Sequence, residues 1–138
     1  MRVEKPKRLV IDTNLWISFL ISDTYHKLDK RIQNNSIKLL FSEEFLSELL
    51  SVFERPKLKK YFSKEDVNEL LSTINQHADF IEVTSNANAC RDKKDNFLLA
   101  LCEDGKADYL LTGDSDLLDL VKYKKTKILK FSDYLLLI

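Results

Sequence analysis

Glycine and proline are scarce, with two of each in 138 residues. Collagen-like repeats and low-complexity chains rich in these residues are therefore excluded. Cysteine is as rare: Cys90 and Cys102 form no CxxC, and His26 and His77 stand far apart. No zinc-site spacing can be assembled from them, and no disulfide framework is suggested. No run approaches the ~18 apolar residues that a membrane span needs. Met1 to Lys7 is charged and the next apolar run is short, unlike a signal peptide. Neither sign of charge prevails, since 22 basic residues face 22 acidic ones. These absences predict a reduced, cytoplasmic chain with no membrane segment and no strong long-range steering of polyanions.

What remains is the composition of a folded domain, 44% hydrophobic and 32% charged. Disordered chains combine low hydrophobicity with high net charge, which is not the case here. A chain of this length buries roughly two thirds of its unfolded surface, enough for an independent core. One domain over 1–138 is expected, with 1–7 as an N-terminal extension. Charge is balanced overall but unevenly placed. Asp92 to Asp119 holds eight acids against three lysines, whereas Arg55 to Lys64 and Val121 to Ser132 each hold five bases and no acid. An acidic region beside basic ones could hold metal ions and then a polyanion, but on charge alone a mosaic of solvated faces is the favoured reading.

Along the chain, short apolar runs alternate with helical patterns. Arg8 to Asp12 reads as a buried parallel strand, continuous rather than alternating. Leu15 to Ile21 follows as a mostly buried helix and Tyr25 to Asn34 as a polar one. Ile37 to Phe41 is a second strand, and Ser42 caps a helix that stops near Arg55 because Pro56 follows. Ser63 opens a helix towards His77, Phe80 to Val83 is a third strand, and Ser85 to Lys94 is a polar loop. Asp95 is the expected cap of an apolar helix, with Gly105 as its left-handed stop. Tyr109 to Leu111 and Ile128 to Phe131 complete the strands, with short helices at Asp116 to Val121 and Asp133 to Ile138. This alternation predicts an α/β domain with a mainly parallel sheet.

Two of these strands end in the same way, at Asp12 and at Thr112-Gly113-Asp114. Ligands of open parallel sheets bind at the carboxyl ends of the strands, so both aspartates reach the functional edge. Asp95 joins them if its helix leads back from that edge, and Asp116 adds a further carboxylate. Glu48 falls about 40° outside the apolar face of its helix, on a flank from which it can reach over the sheet, although taken alone it reads first as a solvated helix residue. Converging carboxylates repel one another unless a cation sits among them. With no His or Cys cluster nearby, hard oxygen donors point to Mg²⁺ or Mn²⁺, and such ions serve phosphodiester hydrolysis. Simple helix caps account for Asp12, Asp95 and Asp114 equally well.

Other chemistries fit less well. Neither GxxxxGK[ST] nor GxGxxG occurs, and Gly113-Asp114-Ser115-Asp116 lacks the second glycine of a nucleophile elbow. Haloacid-dehalogenase-like phosphatases need an aspartate where Asn14 stands. Receiver domains carry an adjacent acidic pair at the first strand's end, whereas Ile11 and Thr13 flank Asp12 here.

Four blocks occur in order: Val10-Ile-Asp-Thr-Asn14; Ser42-Glu-Glu with Glu48 and Arg55-Pro-Lys57; Cys90-Arg-Asp-Lys-Lys-Asp-Asn96; and Ala107-Asp-Tyr-Leu-Leu-Thr-Gly-Asp114-Ser-Asp-Leu-Leu118. Together they resemble PIN-domain proteins, in particular VapC-like toxin components of toxin–antitoxin pairs, over nearly the whole chain from about Arg8. The resemblance implies a three-layer α/β/α fold with a central, mainly parallel sheet of four to five strands. It also implies a Mg²⁺- or Mn²⁺-dependent ribonuclease. By position, its catalytic and metal-binding acids fall on Asp12, Glu48, Asp95 and Asp114, with Asp116 as an accessory metal ligand. Asn14 and Thr112 match supporting polar positions, and Asp92 competes with Asp95 for the third acidic role. RNA as substrate, a cognate antitoxin and a homodimer joined through the early helices are the implied partners.

The first seven residues and the proline-free loop before Arg91 depart from the family pattern without touching the acids. Lys57, Lys59 and Lys60, or Lys122, Lys124 and Lys125, are alternative grips on an RNA backbone, and each cluster is also an ordinary solvated face. Trp16 and Tyr109 have the chemistry to stack on bases, but core packing is the expected role of both. A non-catalytic PIN-fold module that binds RNA or protein, and a small phosphatase using the same ions, are the rival readings.

Overall fold

A computed structural model describes residues 5–22, 24 and 26–138. Tyr25, the expected start of the second helix, and the first four residues of the expected 1–7 extension lie outside the described residues. The chain runs β1 (Lys7–Ile11), α1 (Thr13–Ser22), α2 (His26–Gln33), β2 (Ile37–Phe41), α3 (Glu43–Phe53), α4 (Pro56–Lys59) and α5 (Lys64–His77). It continues through β3 (Ala78–Phe80), α6 (Lys93–Gly105), β4 (Tyr109–Leu111), α7 (Ser115–Leu118), β5 (Lys122–Tyr123), β6 (Thr126–Leu129) and α8 (Phe131–Leu135).

The sheet has six strands in the order β3-β2-β1-β4-β6-β5. Five pair in parallel, as their apolar runs predict, and the two-residue β5 adds an antiparallel edge. Leu9, Val10 and Ile11 are all buried, because β1 lies in the middle of a sheet flanked by helices. From β1 the chain builds outward through β2 and β3, then returns to add β4 on the other side. The switch point thus falls between β1 and β4, where a crevice opens at the carboxyl ends.

Local chemistry places most boundaries. Ser42 Oγ accepts from Phe45 N at 3.0 Å to start α3, and Ser63 closes a capping box with Asp66 to start α5. Pro56 ends the α3 segment as expected and also starts the short α4, since proline's missing N–H costs nothing in a first turn.

Elsewhere the structure corrects the sequence reading. Asp92, not Asp95, is the N-cap of α6, its carboxylate accepting from Lys94 N at 2.8 Å. The left-handed stop is Lys106 (φ 52), while Gly105 remains helical. Gly105 is small for another reason: a Cβ there would lie 2.9 Å from Leu40 Cδ1 and 3.2 Å from Ile81 Cγ1. β3 begins at Ala78, directly after α5, rather than at Phe80. β6 starts at Thr126, held by the Thr126 hydroxyl's bond to Ala107 O at 2.8 Å, and α8 begins at Phe131.

Trp16 and Tyr109 pack as expected. Trp16 is fully buried beneath α1, its ring centroid 6.0 Å from Phe19 and 5.9 Å from Phe41. Phe41 in turn stacks on Phe45 at 5.2 Å, joining α1, β2 and α3 through one aromatic cluster. Tyr109 lies 5.3 Å from Tyr134.

Because Trp16 is the only tryptophan, its emission reports on this core directly. It should be blue-shifted, resistant to soluble quenchers and insensitive to added RNA. Trp16→Ala should lower stability by about 3–5 kcal/mol in denaturant unfolding, as large aromatic truncations in cores do.

Candidate active site

β1 and β4 are adjacent and parallel, with Ile11 in register with Leu111. Each chain leaves its strand carrying an acid to the same edge. Asp12 N donates to Leu111 O at 3.0 Å, so the residue after β1 is still held by β4. Thr112 then joins the two ends through its side chain. Its hydroxyl donates to Asp12 Oδ2 at 2.7 Å and accepts from Asp114 N at 3.0 Å. Asp114 caps α7, accepting from Asp116 N at 2.8 Å.

The third wall comes from α6. Asn96 clamps the preceding loop by donating to Cys90 O at 2.8 Å and accepting from Cys90 N at 2.9 Å. Asp95 is 6% exposed, in the first turn of the 13-residue α6, where the helix dipole favours negative charge. One carboxylate oxygen from each of Asp95, Asp114 and Asp116 lies within 4.8 Å of the others. Asp12, Asn14, Glu48, Asp92, Asp95 and Asp114 together line a cleft of about 320 Å³.

The acids named from sequence therefore converge, but not equivalently. Asp95, Asp114 and Asp116 form the tight group, with Asp12 buried beside them under the Thr112 hydroxyl. Glu48 stands on the far wall from α3, half-buried, its Oε1 3.4 Å from Lys94 Nζ. Asp92 is exposed and occupied as the cap of α6, which distinguishes it from Asp95. Asn14 is exposed, and its backbone N–H lies 3.4 Å from Asp12 Oδ1.

Sequence reasoning missed the basic and clamping residues of this site. Lys94 pairs with Glu48, Arg91 Nη2 lies 3.5 Å from Asp116 Oδ1, and Arg55 lines the cleft. For Arg91 and Lys94 the available signal was their place beside Asp92 and Asp95. The Asn96 clamp joins the two ends of the Cys90–Asn96 block, within which the sequence reading assigned no role to Asn96.

Crowding shows in the electrostatics. Burial, then repulsion from Asp114, Asp92, Asp12 and Asp116, lifts the Asp95 carboxyl to about 6. Burial also raises Asp12, against the opposing hydrogen bond from Thr112. The donors are hard carboxylate oxygens, and neither His nor Cys lines the cleft. Such a set fits a hard divalent cation, whose charge relieves the repulsion that otherwise favours protonation.

Residues 8–116 match the sequence profile of the family described as PIN domain. The uncharacterized protein MJ1680 of Methanocaldococcus jannaschii is 31% identical, over 86% of this chain and 79% of its own.

A carboxyl group whose native pKa lies above its unfolded value holds its proton more tightly when folded. Its contribution then falls as pH rises from about 4 to about 6 and is unfavourable above that. In chelator at pH 7, Asp95→Asn should accordingly raise the melting temperature, by at most about 3 kcal/mol of stability. The gain should shrink as pH is lowered through 6 to 4. A melting temperature at pH 7 below that of the wild type would contradict this account of the site.

Proposed function

The chain belongs to the PIN-domain family, whose members are generally nucleases, and we propose that it is a metal-dependent endoribonuclease. The observation that carries this reading is the meeting of Asp12 from β1, Asp114 from β4 and Asp95 from α6 at one switch-point crevice. Asp95, Asp114 and Asp116 would hold Mg²⁺ or Mn²⁺, with Asp12 beside them and Glu48 facing them across the cleft. When bound, such an ion supplies Lewis acidity at phosphate oxygens and a more acidic water.

The chain's own groups prepare the site. Thr112 Oγ1 fixes the Asp12 carboxylate by donating to Oδ2 and orients the Asp114 backbone by accepting its N–H. Asn96 holds the Cys90 loop so that Arg91 and Lys94 stand beside the acids. Asp95, its carboxyl lifted to about 6 by burial and the neighbouring acids, releases any proton it holds when a cation binds. A module that only binds RNA or protein has no need of carboxylates crowded in this way, which favours the enzyme over the binding module.

On the same reading the protein is a cytoplasmic toxin, restrained by a cognate antitoxin and acting as a homodimer. This part is supported by the resemblance of its four sequence blocks to VapC-like toxins.

The direct experiment incubates a panel of structured and single-stranded RNAs with Mg²⁺, Mn²⁺ or EDTA. Cleavage should require the ion and fall by ~100-fold or more in Asp12→Asn and Asp114→Asn, with both variants still folded. Full activity in Asp12→Asn would sink the assignment. Mn²⁺ should also raise the melting temperature of the wild type, less so below pH 6, where Asp95 is protonated. The toxin role has its own check: induced expression should arrest bacterial growth, and Asp12→Asn should not. Growth unaffected by an active nuclease would remove the toxin role and leave the chemistry.

A further inference from the structure

Three basic side chains border the acidic cleft, and two of them are paired. Lys94 lies 3.4 Å from Glu48, and Arg91 lies 3.5 Å from Asp116. Arg55 lines the same cleft, is exposed, and makes no side-chain hydrogen bond or ion pair among the described residues. Its position follows from the backbone. Pro56 holds Arg55 in an extended conformation (φ −62, ψ 136) between α3 and α4, with Leu58 of α4 lining the cleft beyond it. A guanidinium kept at an acidic cleft without an acidic partner suits an anionic ligand spanning both, and its planar fork matches phosphate oxygens.

The surroundings of Arg55 continue the same charge. Lys57 and Lys60 on and after α4 are exposed, and no acid occurs between Arg55 and Lys64. Lys59 lies apart, lining a separate groove with Phe53 and Phe62.

The second basic cluster has a different placement. Pairing of Tyr123 with Thr126 puts the turn of the β5–β6 hairpin at the amino end of β6, whereas the acids stand at the carboxyl ends. Lys124 is bound there to Glu103 at 2.9 Å, near the end of α6 remote from Asp95. Of the two basic runs, the one at α4 adjoins the cleft.

We propose that Arg55 is a substrate-positioning residue that grips an RNA backbone phosphate beside the one cleaved, and that Lys57 and Lys60 carry the same strand outward over α4. This inference rests on the ribonuclease reading and adds the path of the substrate.

The test measures binding rather than turnover. In an Asp12→Asn background with Mg²⁺, the anisotropy of a fluorescein-labelled single-stranded RNA of mixed sequence is followed across a salt series. Arg55→Gln should weaken binding about tenfold and reduce the log–log salt slope by ~0.7, the loss of one single-strand phosphate contact. Arg55→Lys should keep the slope and recover only part of the affinity, since a point charge replaces a bidentate fork. The Mn²⁺-induced melting shift of wild-type protein should be unchanged by Arg55→Gln, which separates substrate positioning from damage to the acids. Lys122→Gln with Lys125→Gln should change binding by less than about twofold. Unchanged affinity and slope in Arg55→Gln, or an equal loss in the hairpin pair, would overturn the inference while RNA binding itself persists. Absence of RNA binding by the parent would overturn the ribonuclease reading together with it.

Discussion

Like charges held within a few ångströms of one another dominate this molecule. Three carboxylates share a 4.8 Å cluster and a fourth, Asp12, is buried beside them. Such an arrangement destabilises a fold unless protons or cations relieve it. Burial first, and then repulsion from the neighbouring acids, lift the Asp95 carboxyl, and a divalent ion relieves that repulsion without protonation.

The surrounding fold holds the acids against their repulsion. The sheet's switch point brings the ends of β1 and β4 together, and one hydroxyl, that of Thr112, ties Asp12 to the backbone of Asp114. α6 contributes Asp95 with the positive end of its dipole, while Asp92 starts the helix and leaves Asp95 for the cleft. Behind them, the Trp16, Phe19, Phe41 and Phe45 rings pack α1 and α3 onto β2, so the walls carrying Asn14 and Glu48 share a rigid support.

Basic residues are distributed around this centre with different duties. Lys94 and Arg91 offset acids of the site, and Lys124 anchors a hairpin to α6 at the opposite edge of the sheet. Arg55 has no such partner among the described residues, and the exposed Lys57 and Lys60 follow it on and after α4. Zero net charge therefore conceals a molecule whose acidic cleft and basic approach are neighbours.

Much of the site was legible because its signals are local. Continuous apolar runs ending in Asp12 and Thr112-Gly113-Asp114 announce buried strands delivering acids to one edge. Ser42 and Pro56 act within a turn of their own positions, and the order of four blocks identifies the family. Two assignments that failed concern where α6 begins and ends. Gly105 reads as a left-handed stop, yet its smallness answers Leu40 and Ile81 from other segments, and Lys106 takes the left-handed turn. Asp95 reads as the cap of α6, yet Asp92 takes that place and Asp95 is buried at the cleft. The sequence by itself determined the fold class and the family, and it named acids that the fold gathers at one edge. Tertiary structure decided which acids crowd together, which cations neutralise them and which stands unpaired, because pairing across elements such as Lys94 with Glu48 leaves no periodic trace along the chain.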